Sequence, residues 1–433
     1  MLNNTFYILT NLPSYMLRRM ALRNFQSFSD IEFDLSGKAG SVKSHAFVYG
    51  ENGSGKSNLI NAVFLFMASA GKYVRMSNPS DQDASAPDDG WLGELARDMH
   101  MIGSSEPMCL DFDFSYDGTG ASYSIDFSPD GRIIYERLEC KVNSRRGVLF
   151  EADDKRIYMV RGLIRDKVFR DRIRSHSAQY WGSRSLLHIL MDEMNRSNLQ
   201  FLESNLNANL LRFLEELKKV DVYPTTQSIR ESDALDIISG RIAASRESDL
   251  NKLEEIISEF FSRLYSDVKG TYYNREATSD GIRYELFFRK QISGTVRDIP
   301  ARMESAGTKK MMAALTPILR AVDGRIEFVD EMDSGVHDLL ITNVMEQTIP
   351  AIKGQLVSTT HNTCLMDSLS PDSVYVIGVD RKGFKKIRCV SSIERIRSTN
   401  SIRHKYYEGN FLGIPYIADL GLTDIASIWE RKG

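Results

Sequence analysis

The sequence is short of cysteine, of histidine and of long apolar runs, and each shortage removes a class of function. Its four cysteines, Cys109, Cys140, Cys364 and Cys389, are scattered without metal-ligand spacing. That argues against a zinc site and for a reduced, cytoplasmic protein. Cysteines and the seven histidines together assemble no nucleophile–base pair. No apolar stretch approaches the roughly 20 residues that a membrane-spanning helix needs, so no membrane partner is expected. The opening MLNNTFYILTNLPSY lacks the basic start and small-residue cleavage site of a secretion signal. A formal charge of −3 leaves no global bias toward nucleic acid. DNA, if it is a partner, must meet a local patch.

What remains is an ordinary globular composition, 42% hydrophobic and 26% charged, in a chain long enough for about two or three domains. From Met16, MLRRMALRNFQSFSDIEFDL alternates apolar and polar residues with a break around Asn24 to Asp30. Two strands joined by a turn are expected there. HAFVYG then reads as a short apolar strand, entering GENGSGKSN and a helically spaced NLINAVFLFM. Ser77 to Gly90 is polar, acidic and proline-bearing, hence a loop or a disordered insert. The alternating stretches from Met108 to Cys140 are divided by DG turns, which predicts an antiparallel meander. Between about Arg161 and Tyr265 apolar residues recur at helical steps, interrupted by VDVYPTTQS. This segment is too short and too poorly heptad-like for a long coiled coil. Strands and helices then alternate through IRYELFFRKQ, RIEFVDE, GQLVSTTH, SVYVIGVD and FKKIRCV, the pattern of a largely parallel sheet.

The chemistry concentrates in three places. Gly50, Glu51, Asn52, Gly53, Ser54, Gly55, Lys56, Ser57 and Asn58 form a P-loop between a predicted strand and a predicted helix. Its glycines let backbone N–H groups converge on phosphate, Lys56 reaches the β/γ-phosphates, and Ser57 holds Mg²⁺. The apolar strand IEFVDE ends in Asp330, suited to the Mg²⁺ shell, and Glu331, suited to orient or deprotonate water. The alternative for these acids is a solvated strand end. Ser305, Gly307 and Thr308 open a helix at a position where its dipole favours phosphate. Ser305 as a plain N-cap explains the same residues. His361 ends the strand of VSTTHN, placed to sense a γ-phosphate.

The order NFQSF, GENGSGKSN, ESAGTKK, FVDEMDSGVHDLL, STTHN and NSIRHKYYEGNFLGIPYI resembles the ABC/SMC-like AAA-type ATPases of bacterial phage defence. These are relatives of the ATPase halves of OLD-family and RecF-type proteins. The resemblance covers roughly Met16 to Cys140 and Thr271 to Ile417. It implies an α/β, ABC-type P-loop head with a mixed, largely parallel sheet and an antiparallel meander. Residues 16–150 and 269–433 would form the head, and 151–268 a mainly helical insertion. It also implies ATP and Mg²⁺ as ligands, Asp330 for the metal, Glu331 as catalytic acid–base residue, and His361 as switch. Asp333 and Ser334 would lie at the seam of an ATP-dependent homodimer or higher oligomer. The sequence departs from the family at Gln26, where many relatives carry a basic residue, and offers no clear Q-loop glutamine.

The function implied is an ATPase that acts as sensor or scaffold for a separately encoded effector, a nuclease or toxin. No nuclease constellation is evident in the chain itself. Two alternatives stay open: a RecF/SMC-like repair ATPase acting directly on DNA, and a non-hydrolysing assembly protein stabilised by ATP. The basic stretch from Arg145 to Arg174, with interleaved aromatics, suits nucleic acid. It equally suits a solvated face whose bases pair with Asp153, Asp154, Asp166 and Asp171. The second basic run, DRKGFKKIRCV, reads as a lysine-protected edge strand.

Overall fold

The computed structural model describes residues 15–73, 90–116, 119–142, 145–225, 236–279, 281–394 and 401–411. The expected acidic loop, except Gly90, and the chain beyond Phe411 lie outside the described residues.

Three sheets organise the chain. The central one has six strands in the order Lys385–Cys389, Val374–Val379, His45–Gly50, Gln355–Thr359, Ile326–Val329, Val220–Tyr223. All neighbours are parallel except Lys385–Cys389, which runs antiparallel along one edge. The inner strands are buried almost throughout because both faces are covered, and apolar residues predominate in them. Their side chains divide by the two-residue period of a strand. Ala46, Val48, Ile326, Phe328 and Val357 enter one core; Phe47, Tyr49, Val329 and Leu356 enter another.

The first core lies between the central sheet and a seven-stranded antiparallel sheet. That sheet begins with Met16–Phe25 and Phe28–Asp34, joined by the two-residue turn Gln26–Ser27. It continues through the expected meander and then further, into Arg145–Asp153 and Ile157–Met159. The helix Lys56–Ser69 fills the gap between the two sheets, with Phe64, Leu65 and Phe66 wholly buried. Gln355 ties the layers directly: its amide accepts from Leu17 N and donates to the carbonyls of Leu17 and Lys43, each at 2.9 Å.

The second core lies under the opposite face. Helices Ala306–Val322 and Asp338–Thr348 cover the central sheet there. Beside them the helix Glu247–Leu264 packs on a small antiparallel sheet built from Ser239–Ile242, Val268–Thr278, Gly281–Ile292 and Thr295–Pro300.

In residues 151–268, expected as a mainly helical insertion, helices occupy Lys167–Tyr180, Leu186–Arg196, Leu199–Asn205, Ala208–Leu217 and Glu247–Leu264, while the segment opens within the antiparallel sheet. VDVY, expected as an interruption, forms an edge strand of the central sheet. The helices contribute Leu187, Leu190, Leu210 and Leu214 to the first core, so they are part of its packing. One device holds them there. Glu136, fully buried on the strand Ile133–Val142, accepts from Leu186 N at 2.6 Å and Leu187 N at 2.9 Å. It thereby satisfies free N–H groups at a helix start. Burial pushes its carboxyl up to about 7 despite those donors.

Candidate nucleotide site

The strand His45–Gly50 ends at the P-loop, and Lys56 is the first residue of the helix that follows. No side chain caps that helix, so its first N–H groups face the loop. Gly55 is required twice over. Its φ of +102° is unfavourable for other residues, and a Cβ there would lie 2.6 Å from the ring of Phe28. Gly53, at φ +80°, has nothing within 4 Å of where its Cβ would be, so the loop's outer rim is open. Lys56 is buried and donates to the carbonyls of Gly50 (2.9 Å) and Glu51 (3.2 Å). Burial pushes its ammonium down, while Glu331, Asp330, Asp333 and Glu51 act in the opposite direction. Ser54 Oγ is buried with no hydrogen-bond partner among the described residues. A buried unpaired hydroxyl is costly unless something meets it, and here it lies inside a loop of converging N–H groups. This is the donor set that a phosphate suits.

Asp330 and Glu331 follow the strand Ile326–Val329, which is separated from the P-loop strand by Gln355–Thr359. Asp330 Oδ1 accepts from Ser57 Oγ at 3.1 Å and Thr359 Oγ1 at 2.6 Å; its Oδ2 accepts from Thr225 Oγ1 at 2.6 Å. Thr359 Oγ1 also accepts from Glu331 N at 2.8 Å. The acid is therefore oriented by hydroxyls from three separate segments. Ser57 and Asp330, a hydroxyl and a carboxylate in contact, are the oxygen donors a hard cation such as Mg²⁺ takes.

Glu331 sits at φ +48°, a region few non-glycine residues enter. The turn aims its carboxylate out of the sheet, with Oε1 4.0 Å from His361 Nε2 and both side chains partly exposed. His361 is positioned through its backbone. Asp333 Oδ2 accepts from Thr360 Oγ1 (2.9 Å), His361 N (3.1 Å) and Asn362 N (2.8 Å). Asp333, which the resemblance implies at a dimer seam, thus ties the turn after Glu331 to the loop that carries His361 within the chain.

Ser305 is an N-cap: its Oγ accepts from Thr308 N at 3.1 Å and contacts Thr308 Oγ1 at 2.9 Å. Gly307 lies close against the turn that follows Glu331, where a Cβ would sit 3.1 Å from Gly335 O. These three residues are not brought to the chain's own P-loop helix. The helix Ala306–Val322 covers the second core and Lys56–Ser69 the first, on opposite faces of the sheet.

Sequence reasoning missed the threonines. Thr225 and Thr359 carry no motif of their own, although each follows or ends a strand beside that of Asp330. It also missed Lys385, whose Nζ donates to Gly53 O at 2.6 Å and Ser27 Oγ at 2.7 Å. The basic stretch from Arg145 to Arg174 is spread over a strand, a turn and a helix. Within it Asp153 closes a turn, Asp154 pairs with Arg132 and Asp166 caps a helix. Arg172 pairs with Glu193.

A glycine loop between strand and helix, with paired acids two strands away across a parallel sheet, defines a P-loop nucleotide-binding fold. The chain belongs to the family described as "AAA domain, putative AbiEii toxin, Type IV TA system", which matches residues 46–367. Among solved structures it is similar to an SMC head bound to the C-winged helix domain of ScpA, at 17% identity and TM-score 0.44. That alignment covers 86% of this chain and 97% of the other. It is also similar to the SMC head domain from Thermotoga maritima, at 15% identity and TM-score 0.38, covering 86% and 98%. A third is a Smc head with an extended coiled coil bound to the C-terminal domain of ScpA, derived from Pyrococcus furiosus. It gives 16% identity and TM-score 0.40, covering 86% and 96%. No curated protein sequence matches the chain. Among the described residues no helix is long and apolar enough to cross a membrane.

Proposed function

We propose that the chain binds ATP with Mg²⁺ at Gly50 to Asn58, hydrolyses it, and pairs with a second copy while ATP is held. In this reading the pair is a sensor or scaffold that governs a separately encoded effector in anti-phage defence. The observation that carries the nucleotide reading is the contact of Ser57 with Asp330 beneath an uncapped helix start. Ser57 and Asp330 would hold Mg²⁺, which when bound neutralises charge on phosphate oxygens. Lys56 swings from the Gly50 and Glu51 carbonyls to the β/γ-phosphates. Glu331 takes the proton of the attacking water, and His361 lies beside it to read the γ-phosphate.

Pairing is supported by the separation of the two phosphate-binding helix starts onto opposite faces of the sheet. One nucleotide engages both if the Ser305 to Thr308 turn comes from a second copy. Met303, two residues before that turn and 70% exposed, adds apolar surface beside it. The defence role is supported by the family's description, which names a toxin of a toxin–antitoxin system. The effector itself is a proposal from the resemblance.

Light scattering of Glu331→Gln with ATP and Mg²⁺ tests the pairing. The expected mass is twice that of the chain without nucleotide, and phosphate release falls by about 100-fold or more. An unshifted monomer that nonetheless binds ATP would overturn the pairing.

A further inference from the structure

The edge strand Lys385–Cys389 was expected only to protect the sheet. Its register gives it a second place in the molecule. Gly50 pairs with Ile377, and Val379, two residues further on, pairs with Lys385. The hairpin therefore delivers Lys385 to the level of the P-loop, one strand beyond it. There the ammonium donates to Gly53 O (2.6 Å) and Ser27 Oγ (2.7 Å) and lies 5.9 Å from the ring centroid of Phe28. Phe28 is the ring that abuts Gly55 from below. Lysine, loop and aromatic floor form one wall of the cradle.

We propose that Lys385 is a second phosphate-binding cation of this site, holding nucleotide from the outer rim while Lys56 holds it from within. This rests on the ATP reading above. Three observations support it. The two described bonds use two of the three ammonium protons, and the rim at Gly53 is open. Lys385 is partly buried, yet no carboxylate among the described residues lies within ion-pair range. Burial pushes its ammonium down, with only Glu51 acting against that. A partly desolvated cation without a paired anion is unfavourable until an anion arrives. Glu51, a negative charge inside the loop, makes the need for a second cation greater. Its field works against a polyphosphate, and Lys56 and Lys385 both feel it.

The geometry also separates this role from that of a pin. A lysine that only fastens the hairpin to Gly53 acts through its hydrogen bonds, which glutamine partly keeps. A phosphate-binding cation acts through charge, which arginine keeps and glutamine loses. Calorimetric titration of the full-length wild type, Lys385→Gln and Lys385→Arg with ATP and with ADP distinguishes them, alongside thermal unfolding of each. The expected result is that Lys385→Gln weakens both nucleotides about tenfold with its unfolding midpoint unchanged. Lys385→Arg should restore affinity to within about threefold of wild type. Wild-type affinity in Lys385→Gln would overturn the proposal, as would equal losses in both variants. Failure of the wild-type chain to take up nucleotide is a different result, and it would remove the ATP reading itself.

Discussion

The strand Ile326–Val329 carries one buried acid in its middle and passes the chain to another at its end. Asp330, at the C-terminal edge of the sheet, meets the hydroxyls of Ser57, Thr225 and Thr359. Glu327, three residues earlier and wholly buried, has neither oxygen hydrogen-bonded among the described residues. Its register neighbour Asp221 takes the local cations, with Lys72 at 2.6 Å, Arg320 at 3.2 Å and Arg325 at 3.3 Å. Burial, reinforced by Asp221, pushes the Glu327 carboxyl up to about 9. Glu327 therefore keeps its proton at neutral pH, the cost of burial outweighing the opposing pull of Arg320, Tyr223 and Arg325. Both acids are buried, one inside the strand and the other immediately after it. What separates them is the supply of donors. Three hydroxyls collect on Asp330 where the strand ends and loops meet, whereas the Tyr223 hydroxyl near Glu327 is engaged by Arg320 Nη1 at 3.0 Å.

The comparison breaks most visibly at Asp330. Asp330→Asn should cut Mg²⁺-dependent phosphate release by about 100-fold or more, because the metal loses its carboxylate. Full activity in that variant would mean that Asp330 is as structural as its neighbour. Glu327→Gln sharpens the other side, with a smaller effect on stability and none on nucleotide affinity. In the wild type the folded state holds a proton that the unfolded chain releases above the ordinary carboxyl value of 4.5. Wild-type stability accordingly falls as pH rises from there toward about 9, and glutamine, which does not titrate, escapes the loss. Thermal unfolding should show Glu327→Gln gaining on wild type between pH 5 and pH 9, by on the order of a few kcal/mol at the alkaline end. A pH-independent difference would show that Glu327 is ionised in the fold.

The same contrast explains what the sequence could show. The P-loop, the paired acids and His361 were legible because each depends on residues adjacent in the chain. Strand, glycine loop and helix are local, and IEFVDE is an apolar strand with acids at its end. The partners that orient these residues come from remote segments. Thr225 is 105 residues from Asp330, and Lys385 is 332 from Gly53. Nothing in VDVYPTT marks a strand of the central sheet, since it spans four residues and has Asp221 in its middle. Asp221 is tolerated only because three cations converge on it after folding. The helices between 167 and 217 looked like a separate lobe because an amphipathic pattern identifies an apolar face and not what covers it. Here that face covers the first core, with Glu136 fastening the start of Leu186–Arg196.

The proposed nucleotide site requires Lys56, Ser57 and Asp330 to serve one magnesium-bound triphosphate. Calorimetry of the full-length chain against ATP, with and without Mg²⁺, tests this directly when repeated on Lys56→Ala. The predicted result is uptake of one ATP per chain, strengthened by Mg²⁺ and abolished by the substitution. A wild-type chain that takes up no ATP, or a Lys56→Ala chain that binds it equally well, would contradict the account.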